Sequence, residues 1–179
     1  MDGSLSGRKV VILVEAQYEE LELWYPAFRL EEEGAEVIIA GTGAKEYAGK
    51  HGYPARAEAD VRNLSAADFD AVIIPGGYAP DRLRRHEAVL SLVRDAFHQG
   101  SVVASICHAA WVPISAGIVK GKRATCYYSI KDDLKNAGAE YLDTEVVRDG
   151  NLITSRQPAD LSAFCREIIA ALVRSPARV

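Results

Sequence analysis

Val102-Val103-Ala104-Ser105-Ile106-Cys107-His108-Ala109 is the stretch that decides how this chain is read. A short apolar run stops at Ser105-Ile106-Cys107-His108, and Ala109 to Ala116 continues as a helix-compatible segment. A strand that turns sharply into a helix holds its turn residue at the carboxyl edge of a sheet. That edge is where open α/β sheets keep their chemistry. A thiol there faces the first N–H groups of the helix, whose partial positive charge favours a thiolate near neutral pH. The layout is that of a nucleophile elbow with sulfur in the place of a serine oxygen. The stretch equally suits a buried cysteine packed as a small apolar side chain.

Working outward, Lys9 to Val14 is a continuous apolar run, the pattern of a strand covered on both faces. Glu20 to Glu33 carries Leu21, Leu23, Trp24, Phe28 and Leu30 at mostly helical spacing. Pro26 is tolerated only in a first helical turn, so regular helix is expected to start near it, and Gly34 ends it. Glu36 to Ala40 and Ala71 to Ile74 read as further strands, the latter running into Pro75-Gly76-Gly77. Glu87 to His98 reads as helix and Val102 to Ser105 as the strand before the elbow. Arg148-Asp149-Gly150-Asn151 lies between Glu145–Val147 and Leu152–Thr154, a strong hairpin signal. Ala159 to Val173 closes as an amphipathic helix. Strands alternating with helices predict a three-layer α/β sandwich, a mostly parallel sheet with one antiparallel hairpin.

The chain has 179 residues, enough for one domain with a full core. Residues 1–8 read as a frayed or non-native tail and 9–179 as a single domain. With 21 basic against 25 acidic residues and a net charge of −4, it lacks the basic footprint of a nucleic-acid binder. No apolar run approaches the ~20 residues of a membrane span. Three cysteines, Cys107, Cys126 and Cys165, are odd in number and lack metal-type spacing. Free thiols in a reducing cytoplasm fit them best. Cys126 and Cys165 read as packing residues, and His51, His86 and His98 as surface residues.

Three segments are expected at the same sheet edge: Glu15 to Glu20, Pro75 to Asp81, and the Cys107-His108 pair. The glycines of Pro75-Gly76-Gly77 let backbone N–H groups approach a bound oxygen. With the N–H of His108 they form a candidate oxyanion hole. Glu20 and Glu22 are assigned to solvent, where carboxylates at a helix start favour the dipole. Glu19, at the loop end, is expected to reach across to the thiol and donate its proton to sulfur. Adjacent helical residues diverge by roughly 100°. His108 therefore serves Cys107 as a base only if the elbow residue leaves helical torsions. No metal site and no dinucleotide cofactor are expected: there is no zinc spacing and no glycine fingerprint after the first strand.

Taken together, Ser105-Ile106-Cys107-His108, Pro75-Gly76-Gly77-x-Ala79-Pro80, Lys50-His51-Gly52-Tyr53 and Ile130-Lys131-Asp132-Asp133 resemble the ThiJ/PfpI superfamily. The PfpI-type intracellular cysteine peptidases are the branch they resemble most. The resemblance runs from about Lys9 to Leu172 and implies a flavodoxin-like fold of the class I glutamine amidotransferase type. It implies Cys107 as nucleophile, His108 as its partner, Glu19 as the acid on the thiol, and a homo-oligomer, dimer or hexamer. The peptidase branch completes a triad with a carboxylate from a neighbouring subunit, at the position of Asp81. Asp81 is one methylene shorter than that branch's Glu. Ala109 and Trp111 replace a glycine and a polar residue behind the elbow. The expected substrates are peptides or small 2-oxoaldehyde carbonyls, in a stress-related hydrolase or deglycase that needs no cofactor. The alternative is a non-enzymatic oxidant sensor or chaperone-like protein using the same thiol.

Overall fold

The computed structural model describes residues 3–174. Its frame is one seven-stranded sheet. β1 (Lys9–Leu13) runs into α1 (Glu20–Glu32) and β2 (Glu36–Gly41), followed by short strands β3 (Glu46–Ala48), β4 (Pro54–Arg56) and β5 (Ala59–Asp60). β6 (Ala71–Ile74), α2 (Ala79–Leu83), α3 (Glu87–His98) and β7 (Val102–Ile106) come next. After α4 (Trp111–Ser115) lie β8 (Arg123–Ala124), α5 (Lys131–Asn136) and β9 (Glu140–Tyr141). β10 (Val146–Asp149), β11 (Leu152–Ser155) and α6 (Leu161–Arg174) complete the described chain. The sheet order is β10-β11-β7-β6-β1-β2-β5; only the β10–β11 hairpin is antiparallel. This is the predicted mostly parallel sheet, covered by helices on both faces, with its single hairpin.

Register explains why the central strands read as unbroken apolar runs. Ile39, Ile12, Ile73, Ala104 and Ile153 are successive cross-strand partners and share one buried face with α1 and α6. Val11, Leu13, Val72, Ile74 and Val103 point the other way, onto Val89, Leu92, Val93 and Ala96 of α3. Side chains alternate along a strand. A strand covered twice therefore needs apolar residues at every position. Cys165 lies in the first layer and Cys126 in the second, both buried.

Two expectations fail here. The helix starts at Glu20, not near Pro26, so proline sits inside α1. Pro26 withholds one N–H from the carbonyl of Glu22, and the buried face of Leu23, Ala27 and Leu30 holds the helix together across that gap. The start of the chain is not frayed from residue 3 onward, while Met1 and Asp2 lie outside the described residues. Leu5 is fully buried, its N–H donates to Glu33 O at 2.8 Å, and Arg8 pairs with Asp70 at 3.2 Å. Residues 175–179 of the expected domain also lie outside the described part. The two-stranded β3–β4 ribbon and the β8–β9 pair were not expected. Among the described residues, no helix is long and apolar enough to cross a membrane.

Leu5→Ala tests the packed start directly. Removing a fully buried leucine side chain costs about 2–5 kcal/mol, so the urea midpoint should fall clearly. A loose tail would leave it unchanged.

Candidate active site

β7 is buried at every residue and hydrogen-bonded on both sides, to β6 and β11. The chain leaves it through Cys107, whose φ is +63°. A left-handed cysteine is uncommon and costs of order 1–3 kcal/mol unless its surroundings fix it. The Tyr127 N–H does so in part, donating to Cys107 O at 3.2 Å. The turn then tightens into a 3₁₀ segment, Cys107–Ala110, before α4. The condition set for His108 is thereby met: Cys107 Sγ lies 3.2 Å from His108 Nδ1.

The second wall is the β6–α2 turn. Tyr18 and Gly77 form an antiparallel bridge, Glu19 N donates to Gly76 O at 3.1 Å, and Tyr78 N donates to Gln17 O at 2.9 Å. At Gly77 φ is +80°, and a Cβ would stand 2.5 Å from Gln17 O. Only glycine lets the two loops close up here. The N–H groups of Gly77 and His108 are directed at the Cys107 sulfur and favour its anion. The Gly76 N–H is not available for that purpose. It donates to Glu22 Oε2 at 2.7 Å.

Glu22 is the main correction. Assigned to solvent from sequence, it is fully buried, and its carboxyl lies against the Cys107 thiol within hydrogen-bonding reach. Its Oε1 is buried and has no well-aligned partner. Glu19, expected on the sulfur, lines the same cavity but points its carboxylate to Lys50 Nζ at 3.4 Å. The missed signal was periodicity. Glu22, Leu23, Pro26, Ala27 and Leu30 form the buried stripe of α1, and a carboxylate on such a stripe faces inward whatever the helix dipole prefers.

Burial pushes the Glu22 carboxyl up to about 8, against the lowering effect of the Gly76 N–H. Near neutral pH it therefore keeps its proton. Burial also pushes the Cys107 thiol up, and an ionised Glu22 would push it further, while the His108 and Gly77 N–H groups pull it down. Burial thus opposes the thiolate expected from the elbow position alone. With Glu22 protonated, the repulsion is absent and its O–H becomes a donor to the sulfur anion. The pair titrates as a unit that carries at most one charge around neutral pH.

Glu22→Gln keeps a donor without the charge. It should leave iodoacetamide alkylation of Cys107 at pH 7 within about threefold of the parent. Glu22→Ala removes the donor and should slow alkylation about tenfold, the worth of a hydrogen bond to a charged group. Glu19→Ala should change it little. Equal rates in the Gln and Ala variants would remove Glu22 from this role.

His108 is pushed below its ordinary value by burial and by the nearby Lys50 charge. Its ring stacks on Tyr127 at 4.9 Å, and its Nε2 lies 3.1 Å from Ser129 Oγ. Asp81 is exposed at the start of α2, with its carboxylate 3.6 Å from Arg85 Nη2. Above the thiol opens a cavity of about 570 Å³ flanked by Glu19, Lys50, Tyr78, Tyr127, Gln157 and Pro158. Lys50 and His51 arrive on the turn between β3 and β4. Glu19, Glu20 and His51 bring ligand-type atoms within 4.8 Å of one another. They are already engaged: Glu20 accepts from the His51 backbone at 2.6 Å and lies 2.8 Å from His51 Nδ1, and Glu19 holds Lys50. His86 and His98 are exposed, as expected.

The sequence profile of the DJ-1/PfpI family matches residues 8–171. A deglycase of Pyrococcus horikoshii is 46% identical over 164 residues, covering 92% of this chain and 99% of the relative. A Bacillus subtilis protein named as a candidate cysteine protease is 40% identical over 166 residues, covering 92% of this chain and 98% of its own. A crystal structure from Anabaena variabilis, a two-domain protein with DJ-1/ThiJ/PfpI-like and ferritin-like domains, superposes with a TM-score of 0.91 at 42% identity. That match covers 92% of this chain but 48% of the longer protein, about half its length. On profile, relatives and fold alike, the chain belongs to the DJ-1/PfpI family.

Proposed function

We propose that this protein is a stress-related, cofactor-independent cysteine hydrolase of deglycase type, acting in the cytoplasm on small 2-oxoaldehydes or their adducts. The observation that carries the reading is the elbow. Cys107 stands at φ +63° with an imidazole nitrogen 3.2 Å from its sulfur. It opens into a cavity of about 570 Å³, within the range of small-molecule sites. Sulfur attacks the aldehyde carbon, forming an S–C bond, and the carbonyl oxygen takes the developing charge. The N–H groups of Gly77 and His108 meet that oxygen as it moves in beside the sulfur. His108 then takes the proton from the former aldehyde carbon, and a proton returns to the neighbouring carbonyl carbon. The first carbon is thereby oxidised to a thioester as the second is reduced to an alcohol. Water cleaves the S–C bond to release the 2-hydroxy acid and restore the thiol. Glu22 holds the sulfur anion between steps.

Small carbonyls fit better than extended peptides. A peptide strand is usually held by pairing with a free sheet edge. The free edges here are β10 and β5, whereas the thiol lies behind β7, in the middle of the sheet. The homo-oligomer implied by the resemblance belongs to the same proposal, as the setting in which a second copy's Asp81 would approach the pocket mouth. The oxidant-sensor reading is favoured by one feature: the donors that stabilise a thiolate would also hold the oxygens of a sulfinate.

The test is turnover of methylglyoxal and of a fluorogenic peptide by the parent and by Cys107→Ala. Methylglyoxal conversion that falls to background in the variant is expected, with little peptide cleavage by either. Equal activity of the two proteins would overturn the nucleophile. Absence of turnover, together with a clean sulfinate on Cys107 after mild peroxide, would favour the sensor.

A further inference from the structure

The imidazole of His108 is held more completely than a base next to its nucleophile requires. Tyr127 stacks on one side at 4.9 Å with an interplanar angle of 26°, and Trp111 meets it edge-on at 5.4 Å. Trp111 is itself fixed. Its indole N–H donates to Asp133 Oδ2 at 2.8 Å, and the Arg84 guanidinium lies 5.6 Å from its ring centre. Tyr127, Ser129 and Asp133 come from one continuous segment, and that segment is tied to the elbow through the Tyr127 N–H. The ring has two nitrogens, and both are taken: Nδ1 by Cys107 Sγ at 3.2 Å and Nε2 by Ser129 Oγ at 3.1 Å.

We infer that Ser129 is the positioning residue of His108, holding Nε2 from within the same chain and giving the Cys107 proton a path to solvent. The inference rests on the reading of Cys107 as nucleophile and His108 as its base. A hydroxyl both donates and accepts, whereas a carboxylate only accepts. With a thiol, S–H donates to Nδ1, and Nε2–H donates to Ser129 Oγ. With a thiolate, Nδ1–H donates to sulfur, and Ser129 O–H donates to Nε2. Passing between the two moves three protons one place each. The S–H bond breaks as Nδ1–H forms, the Nε2 proton passes to Oγ, and the former Ser129 proton passes to water. The sulfur keeps its electron pair, and the ring is neutral before and after. Ser129 is exposed, so water reaches it, while Cys107 is only 8% exposed. Burial and Lys50 depress the imidazole, which suits a ring that passes a proton and does not store it. The titratable groups around it include Cys107 on its own turn, Tyr127 on the stacking segment, Lys50 from the β3–β4 turn, and Glu22 and the loop residue Glu19 at the start of α1, which line the same cavity. A carboxylate from a second copy's Asp81 would compete with this hydroxyl for Nε2.

The experiment uses the full chain with 15N-labelled histidine, as the parent and as Ser129→Ala, Ser129→Thr and Asp81→Ala. The His108 ring resonances and the steady-state kinetics on methylglyoxal are followed across the neutral pH range. Ser129→Ala should move the Nε2 resonance and lower kcat about five- to tenfold, with KM within twofold. Ser129→Thr should restore both, and Asp81→Ala should leave Nε2 in place. An unmoved Nε2 in Ser129→Ala, a kcat within twofold of the parent, or a Thr variant no better than Ala overturns the inference. So does an Nε2 that responds to Asp81→Ala instead. If the parent turns over no methylglyoxal while Nε2 still answers to Ser129, the positioning stands and the proposed function falls.

Discussion

A neutral carboxyl buried between three backbone segments is the constraint around which the pocket is arranged. Glu22 extends from α1 to the turn after β6 and to the elbow after β7, touching Gly76 N–H and the Cys107 thiol. Burying a carboxyl is costly unless it is hydrogen-bonded or holds its proton, and here both conditions are met. The contact dictates its neighbours. A Cβ on Gly76 would come 2.4 Å from Glu22 Oε2 and 2.8 Å from Cys107 Cβ, so position 76 must be glycine. Gly77 must be glycine for a separate reason, its left-handed torsion and its approach to Gln17. The Gly-Gly pair thus serves two different contacts, one on each side of the same peptide.

The fold was legible because parallel strands covered on both faces leave apolar runs, and β1, β2, β6 and β7 each carry one, that of β7 broken by the buried Ser105. The hairpin was legible through Asp149-Gly150, whose turn chemistry is local. β3, β4, β5, β8 and β9 are two or three residues long, and strands that short take their form from tertiary partners. Pro26 misled for a related reason: local rules place it in a first turn, while the buried stripe of α1 continues past it. Within the site, Cys107, His108 and Gly77 were legible because an elbow and a glycine turn are sequence-local shapes. Glu22 was read through the helix dipole when its position on the stripe carried the information. Ser129 left no trace, since its relation to His108 exists only across 21 positions of folded chain.

The mouth of the cavity is nearly charge-balanced. Lys50 and Glu19 face each other at 3.4 Å, and the ammonium also lies 6.0 Å from the Tyr78 ring centre. A pair this exposed on the lysine side contributes little to stability. Its effect falls on the chemistry below it. Lys50 lowers the basicity of His108 and, through its charge, favours an anion in the pocket, while Glu19 disfavours a second ionised carboxylate at Glu22. The β3–β4 turn, whose Lys50-His51-Gly52-Tyr53 carried part of the resemblance without an assigned role, is therefore part of the electrostatic environment of the thiol that follows β7.

These pieces lead to a one-anion rule for the pocket. Thiolate, ionised Glu22 and a substrate oxyanion are three candidate negative charges within one small, partly dry space. Like charges at such separations cannot all form. The donors fixed by the backbone are the Gly77 and His108 N–H groups, and both point to the sulfur side. The Gly76 N–H is committed to Glu22, and it pulls that carboxyl down less than burial pushes it up. Under the proposed mechanism the charge travels with the chemistry, from sulfur to the developing oxyanion and back, while Glu22 keeps its proton throughout. A left-handed cysteine is what makes this possible. Turned out of the helical path, its sulfur faces the two N–H groups, the carboxyl and the imidazole at once.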